Sequence, residues 1–406
     1  MTSSLTPPAA QWALPFFDDV HRDIAARLVD WIKHQRVDET DDRKACRQWV
    51  QRLGEGQWLR YCVPAGADGE LGGALEMLDS RALVVLRETL AFYSPLADFS
   101  FAMQGLGSGA ITLAGSPAQQ AAYLPKVANG KKIAAFALSE ADAGSDAGAM
   151  QTRALRAGDS WTINGSKTWI SNGGIADFYV TFAKTDVKAG VRGITAFIVD
   201  ADTPGLDSSE HIAVMAPHPL ASLKFSDCKL SVSSQLGDMH GGFKLAMQTL
   251  DIFRASVAGA ANGMARRALA EAVTFAKQRQ MFGQTLADFQ MTQAKIGEMA
   301  ALIDSGTLLA YRAAWLRDES QRTGNSERAD NNDTGRSERT VAAAMAKMTA
   351  TENAQRVIDM ALQLHGGLGV KVGSKVESLY RDIRSLRIYE GATEVQQLII
   401  GKAVLR

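Results

Sequence analysis

The chain has 406 residues, 46% hydrophobic and 22% charged, which suits two or three packed domains and excludes a largely disordered protein. Lys plus Arg and Asp plus Glu both total 44, so the formal net charge is zero, whereas a nucleic-acid binder usually shows a basic excess. Three scattered cysteines (Cys46, Cys62, Cys228) form no CxxC pair and the six histidines no HExxH, so neither a disulfide framework nor a metal site is expected. No apolar run reaches the roughly 18 residues of a membrane span. The first twenty residues lack the basic start and apolar stretch of a signal peptide. A cytoplasmic protein without a membrane segment is expected.

Three textures follow one another. The first, about residues 10–132, is helical. Ile24, Leu28 and Ile32 recur at four-residue spacing, and 80–90 reads as another helix. Residues 64–73 carry one Pro and four Gly and are loop. The second, about 133–235, is β-prone. Asn164-Gly165 between strand-like runs predicts a type I′ hairpin, and 178–183, 193–199 and 223–230 are further strands. A small antiparallel barrel or sandwich is expected there. The third, about 240–406, is helical and rich in Ala and Met. Val257, Ala261, Met264 and Ala268 share one face. Val341, Met345, Met348 and Glu352 follow a similar step on a helix that runs to Leu364 and ends at Gly366-Gly367. The nearly apolar-free stretch 318–339 predicts a solvated loop between two bundle helices. The expected class is therefore α+β, mainly α: a helical domain (1–132), a middle antiparallel β domain (133–237) and a C-terminal helical bundle (238–406). That order excludes an alternating βαβ fold.

The GxGxxA match at 105–110 follows no predicted strand, so a dinucleotide fingerprint is rejected in favour of a flexible turn; a P-loop and a nucleophile elbow are absent. Four other segments carry more weight together than apart. In the first, 136–146, small residues and the Ser139 hydroxyl stand where the chain leaves the helical zone. In the second, 168–174, Trp169 beside Ser171 and a Gly pair can wall a flat aromatic ligand. The third is 279–283 followed by Gln290. The fourth joins 363–369 to 387–396.

With these four segments in order, the chain resembles the acyl-CoA dehydrogenase family from about residue 20 to its end. The resemblance implies an N-terminal helical domain, a middle β domain and a C-terminal four-helix bundle. It implies FAD held without a covalent bond between β domain and bundle, in a homotetramer. Phe136, Leu138, Ser139, Gly144 and Ser145 would line the flavin, with Ser145 also touching the CoA part of the substrate. Trp169 and Ser171 would flank the ring. Arg279, Phe282 and Gln290, with Gln363, Gly366 and Gly367, would hold the nucleotide across a subunit interface; a Gly pair suits close backbone approach to pyrophosphate. Ala392, Thr393 and Glu394 would also lie by the cofactor. Asp251 and Arg254 match CoA-side contacts, and Tyr389 and Gly391 flank the substrate.

Glu390 matches the family's base. An acyl thioester must lose its α-proton while a hydride leaves the β-carbon, and a carboxylate near pKa 4.3 is a poor base for carbon unless burial raises it. Some relatives carry the base near residue 253; Phe253 stands there, so Glu390 has no rival. The residue two after Glu390 is Ala392 where Thr is common, and Thr393 follows. The implied reaction is FAD-dependent dehydrogenation to a trans-2-enoyl-CoA, with electrons passed to an electron-transferring flavoprotein. An acyl-CoA oxidase or a desulfinase-like elimination enzyme is the alternative on the same fold. A flavin-bearing DNA-associated protein is a further one, disfavoured by the neutral charge. Asp98 and Ala102 stand in the helix that closes the acyl pocket in the family; they suggest a short-to-medium, branched or cyclic acyl group.

Overall fold

A computed structural model describes residues 5–323 and 333–405. The chain divides into two compact units, each assembled from separated stretches. Unit 1 takes Met1–Gln35, Ser80–Asp98 and Asp251–Arg406; unit 2 takes Arg36–Asp79 and Phe99–Leu250.

Unit 1 is helical. Helix α1 (Asp19–Ile32) buries Ile24, Leu28 and Ile32 as their spacing predicts. Burial of such a side chain stabilises by about 1.5–3 kcal/mol. Unit 2 contains α2 (Asp42–Glu55), which starts on Asp41, whose side chain accepts the Lys44 N–H. Helix α3 (Ser80–Tyr93) belongs to unit 1 and is buried almost all round, charges included. Its Glu88 accepts from Gln11, from Arg266 Nε at 2.7 Å and from the Tyr311 hydroxyl at 2.9 Å. Helix α4 (Pro95–Ala114) divides between the units after Asp98, and α5 (Pro117–Ala128) follows in unit 2 behind a Ser116–Gln119 capping box.

The GxGxxA match lies inside α4 and not in a turn. A Cβ on Gly107 would stand 2.7 Å from the Ala134 carbonyl carbon, so the glycine is there to let the helix touch a strand.

The sheet of unit 2 comprises, among the described residues, β1 (Ala134–Ala137), β2 (Arg153–Ala157), β3 (Ser160–Ser171), β4 (Phe178–Lys184), β5 (Ile194–Asp200), β6 (Leu206–Asp207), β7 (His211–Ile212), β8 (Leu220–Ser231) and β9 (Gln235–Leu236). Its order is β6-β8-β3-β2-β4-β5-β9, with β1 beside β4 and β7 beside β8. Pairing is antiparallel except that β1, and one residue of β2, run parallel to β4. Strands β4 and β5 are buried on both faces, which explains their unbroken apolar runs.

The hairpin expected at Asn164-Gly165 does not form. Both residues lie inside β3, where the pairing with β8 shifts register between Ile163 and Gly165. Gly165 adopts φ +142°, and a Cβ there would stand 2.6 Å from Thr152, so the dipeptide makes a bulge. The long partner β8 continues past it, and the Asn164 amide and Asp227 bond each other across the gap. The turn that joins β2 to β3 comes earlier, at Gly158 and Asp159.

The long helices are α6 (Gly242–Gln278), α7 (Gln290–Arg322) and α8 (Asp333–His365). Between α6 and α7 sits a small hairpin, β10 (Gln280–Met281) with β11 (Gln284–Thr285). Helix α6, which passes from unit 2 to unit 1 after Leu250, meets α3 backbone to backbone: Cβ atoms on Gly259 and Gly263 would reach the Val84 and Glu88 carbonyls at 2.9 and 2.1 Å. Val257, Ala261, Met264 and Ala268 are all buried. On α8 the fully buried face is Ala342, Ala343, Ala346, Lys347 and Ala350, whereas Val341, Met345, Met348 and Glu352 are half-buried. The expected loop at 318–339 is shortened from both ends, because α7 reaches Arg322 and α8 starts at Asp333. Asp318 is buried: its carboxylate accepts from the backbone N–H groups of Ser80 and Arg81, at 2.8 and 3.0 Å, and from Arg81 Nε. Positions 324–332 lie outside the described residues. Helices α9 (Lys375–Leu386) and α10 (Thr393–Val404) complete unit 1.

Candidate active site

Glu390 stands in the turn between α9 and α10. The N–H groups of Ile388 and Tyr389 bond the Ser385 carbonyl, and the Thr393 N–H reaches back to Arg387 at 3.1 Å. Between them Glu390 and Gly391 both take left-handed conformations, φ +53° and +93°. Such backbone is costly for a non-glycine residue and persists only where its surroundings hold it. Three side chains hold this one. Arg254 Nε of α6 donates to the Glu390 carbonyl at 3.3 Å. Lys347 Nζ of α8 and Gln396 Nε2 of α10 both donate to the Gly391 carbonyl, at 2.7 and 3.0 Å. Glu352 ties the two ends together by accepting from Arg387 Nε at 2.8 Å and from the Thr393 hydroxyl at 2.7 Å.

The Glu390 residue is half-buried, but both carboxylate oxygens are out of water with no hydrogen-bond partner among the described residues. Burial raises its pKa above the ordinary carboxylate value, against the pull of Arg87, Lys347 and Arg254, with Asp98 pushing the same way as burial. Burial also raises the Tyr389 phenol. Arg87 grips Asp98 through two bonds, at 2.8 and 3.0 Å, and donates to Ser256 Oγ at 3.1 Å. Asp98 therefore neither faces solvent nor keeps a free carboxylate for a ligand. Arg254 is similarly committed: it is paired to Asp251, which also accepts from Thr340 Oγ1 at 3.2 Å. The Thr393 hydroxyl is taken by Glu352, and Glu394 is exposed.

In unit 2 the segment after β1 is locked to β3. Thr168 N–H donates to the Ser139 carbonyl at 3.0 Å. Lys167 Nζ reaches the Leu138 carbonyl at 3.0 Å and Glu140 Oε1 at 2.9 Å. Burial lowers the Lys167 pKa to about 8, against the pull of Glu140. A second register shift, between Lys167 and Ile170, turns Trp169 outward with φ +59° and an indole 57% exposed. Ser139, Phe136 and Ser171 are half-buried, Leu138 and Ala102 are buried, and Gly144 and Ser145 are exposed. These bonds tie Leu138 and Ser139 to the strand that carries Trp169 and Ser171.

The third set is on the surface of unit 1. Arg279 and Gln290 are exposed, and Phe282 is 88% exposed at the tip of the β10–β11 hairpin, where Phe282 and Gly283 both have positive φ. Gln363, Gly366 and Gly367 are exposed at the end of α8. His365 stacks on Phe275 of α6 with ring centres 4.4 Å apart, so the ends of α6 and α8 are held together.

Sequence reasoning passed over Arg87, Lys347, Glu352, Gln396 and the Lys167–Glu140 pair. The one available signal was a charge on an otherwise apolar helical face, as at Arg87 within 80–90 and Lys347 in the Ala-rich run 342–350.

Three family models match in chain order: acyl-CoA dehydrogenase N-terminal domain over 17–131, middle domain over 135–228 and C-terminal domain over 240–405. The chain is 35% identical over 401 residues to a 3-(aryl)acrylate reductase of Clostridium sporogenes, covering 96% of this chain and 100% of that one. It is 37% identical to the caffeyl-CoA reductase-Etf complex subunit CarC of Acetobacterium woodii, over 81% of this chain and 83% of that one. The solved butyryl-CoA dehydrogenase of Megasphaera elsdenii superposes with a TM-score of 0.84 at 32% identity, covering 96% of this chain and 99% of that one. No helix among the described residues is long and apolar enough to cross a membrane. With all three of its domains matched, this chain belongs to the acyl-CoA dehydrogenase family, an oxidoreductase fold of helical, β and helical parts.

Proposed function

We propose that this protein removes the α-proton and β-hydride of an acyl-CoA thioester, giving a trans-2-enoyl-CoA, with Glu390 as the base and FAD as the cofactor. The observation that carries this reading is the Glu390 carboxylate, buried and without a partner. A base for a C–H bond needs a lone pair that no resting hydrogen bond occupies, and its raised pKa brings it closer to the acidity it must match. As the α C–H bond breaks, Glu390 takes the proton and negative charge develops on the thioester oxygen. The Glu390 N–H, which donates to none of the described residues, is available to that oxygen.

The chain's residues fit a flavin. An outward indole at a strained register shift, on a strand whose Thr168 N–H bonds the Ser139 carbonyl and which also carries Ser171, suits one face of a flat ring with polar edges. FAD, when bound, supplies the acceptor for the departing hydride. Leu138, Ser139, Trp169 and Ser171 would hold its ring. Arg279, Phe282, Gln290, Gln363, Gly366 and Gly367 would hold its nucleotide, and 392–394 would border it. Ser145 would meet the CoA moiety.

The electron partner we infer is an electron-transferring flavoprotein, supported by the relative named as a subunit of an Etf complex. Because every step is reversible, the same residues serve enoyl reduction where the partner supplies electrons, and two relatives carry reductase names. The acyl group is inferred to be short to medium, in keeping with the butyryl-CoA relative, and the enzyme to be cytoplasmic. Anaerobic mixing tests the reading. A butyryl-length thioester should bleach the bound flavin faster than a palmitoyl one. Glu390→Gln should keep its flavin and bleach at least about 100-fold more slowly. A Glu390→Gln protein that bleached at the wild-type rate would remove the base, and a faster palmitoyl reaction would remove the substrate class.

A further inference from the structure

Lys347 is fully buried on the Ala-lined face of α8, and a buried ammonium is normally balanced by a carboxylate. This one forms no ion pair among the described residues. The charges that act on it come from Glu390 in the turn, Arg254 on α6, Glu352 on its own helix and Glu394 on α10. Glu390 is the opposite case, a buried carboxylate with nothing bonded to it. Two such groups would gain by pairing directly. Instead Lys347 spends its short bond, 2.7 Å, on the carbonyl of the next residue, Gly391.

We propose that Lys347 is a positioning residue for the base: its ammonium anchors the Gly391 carbonyl, fixes the left-handed Glu390–Gly391 pair and so holds the carboxylate free of partners. The proposal rests on the assignment of Glu390 as base. Three facts point the same way. The anchored carbonyl belongs to the second of two consecutive left-handed residues, where the chain is most easily lost to a relaxed conformation. Gln396 grips the same oxygen, and a Cβ on Gly391 would stand 2.4 Å from the Gln396 amide, so the turn is packed as well as bonded. Helix α8 also supplies Glu352, five positions on from Lys347 in the sequence, which ties Arg387 to Thr393 on either side of the same turn. One helix thus clamps the turn at its tip and at its base. Burial lowers the Lys347 pKa to about 8, against Glu390, so the clamp is charged at neutral pH.

The test compares wild-type holoenzyme with Lys347→Met and Lys347→Gln. Amide hydrogen exchange at 389–393 should accelerate at least about ten-fold in Lys347→Met, with amides inside α6 and α8 unchanged. Flavin bleaching at saturating thioester should slow at least about ten-fold while thioester affinity stays within about a factor of three. Lys347→Gln keeps a donor without the charge and should fall between Lys347→Met and wild type in both measurements; if Lys347→Met does not fold, Lys347→Gln carries both readouts against wild type. Exchange at 389–393 unchanged from wild type, or bleaching within about two-fold of it, overturns the proposal. Glu390→Gln, run beside them, keeps the two assignments apart. If it bleaches normally, the base is misassigned. If it fails to bleach while both Lys347 variants react like wild type, only the positioning role falls.

Discussion

At Glu390 a buried carboxylate without a hydrogen bond costs stability, and the size of that cost depends on pH. Its pKa in the folded protein is raised, chiefly by burial. Between the unfolded value of 4.5 and the folded one, the folded state holds the proton that the unfolded state has released. Stability therefore falls as pH rises through that window. Glu390→Gln never ionises. It escapes the cost of burying a carboxylate charge, so it should be more stable than wild type at neutral pH, and the gain should shrink as acid protonates the native side chain. Thermal melts at neutral and acidic pH would show a higher Tm for the variant only at neutral pH; equal melts at both would contradict the burial argument. At this scale the sequence was legible unevenly. Glu390 was singled out through its neighbours Tyr389 and Gly391 and a family resemblance, not through any property of a lone glutamate; its buried, unpartnered carboxylate was not legible at all. Arg87 and Lys347 were missed because a charge in an Ala- or Leu-rich helix looks the same whether its face meets water or a turn. Only packing decides that.

Helices and strands were legible where period and burial agree, and misread where local chemistry was taken for geometry. Asn164-Gly165 permits a tight turn, yet β8 pairs along the whole of β3 and the dipeptide becomes a bulge. Phe282-Gly283 has a bulky first residue and still makes the two-residue hairpin turn, with both φ values positive. Turn propensity is a permission, and pairing over many residues overrides it. The glycines of α4 carry the same lesson. Read as a flexible turn, Gly107 is instead the point where a helix lies directly on β1. Gly107→Val should destabilise the protein by at least about 2 kcal/mol, because the contact is with backbone that cannot step aside. Chemical denaturation followed by fluorescence would measure this, and an unchanged midpoint would show that α4 and β1 can separate cheaply. The polar stretch 318–339 was misjudged at its edges for a related reason. Asp318 is polar because it caps α3 and pairs Arg81, both far away in sequence.

Over the whole chain, texture and packing divide the protein differently. Texture marks where the period of the sequence changes, whereas the compact units gather stretches that share a core. No composition rule links 80–98 to 251–406, because the bonds between them are long-range and chosen by shape. We also infer a homotetramer, and Phe282 is its cheapest probe. Phe282 is 88% exposed on a turn with two positive φ values, and the tetramer we infer would place a partner chain over it. Phe282→Glu should lower the mass seen by light scattering below that of four chains and weaken flavin retention; a wild-type mass with full flavin would place the interface elsewhere. The interleaving has a last consequence, for biosynthesis. Arg266 follows Glu88 by 178 positions, and Asp318 follows Arg81 by 237. At ribosomal speeds the wait for Asp318 lasts roughly ten to fifty seconds. Through that interval Arg81 and Glu88 wait for partners not yet made, so α3 cannot complete its packing until α6 and α7 have followed it off the ribosome.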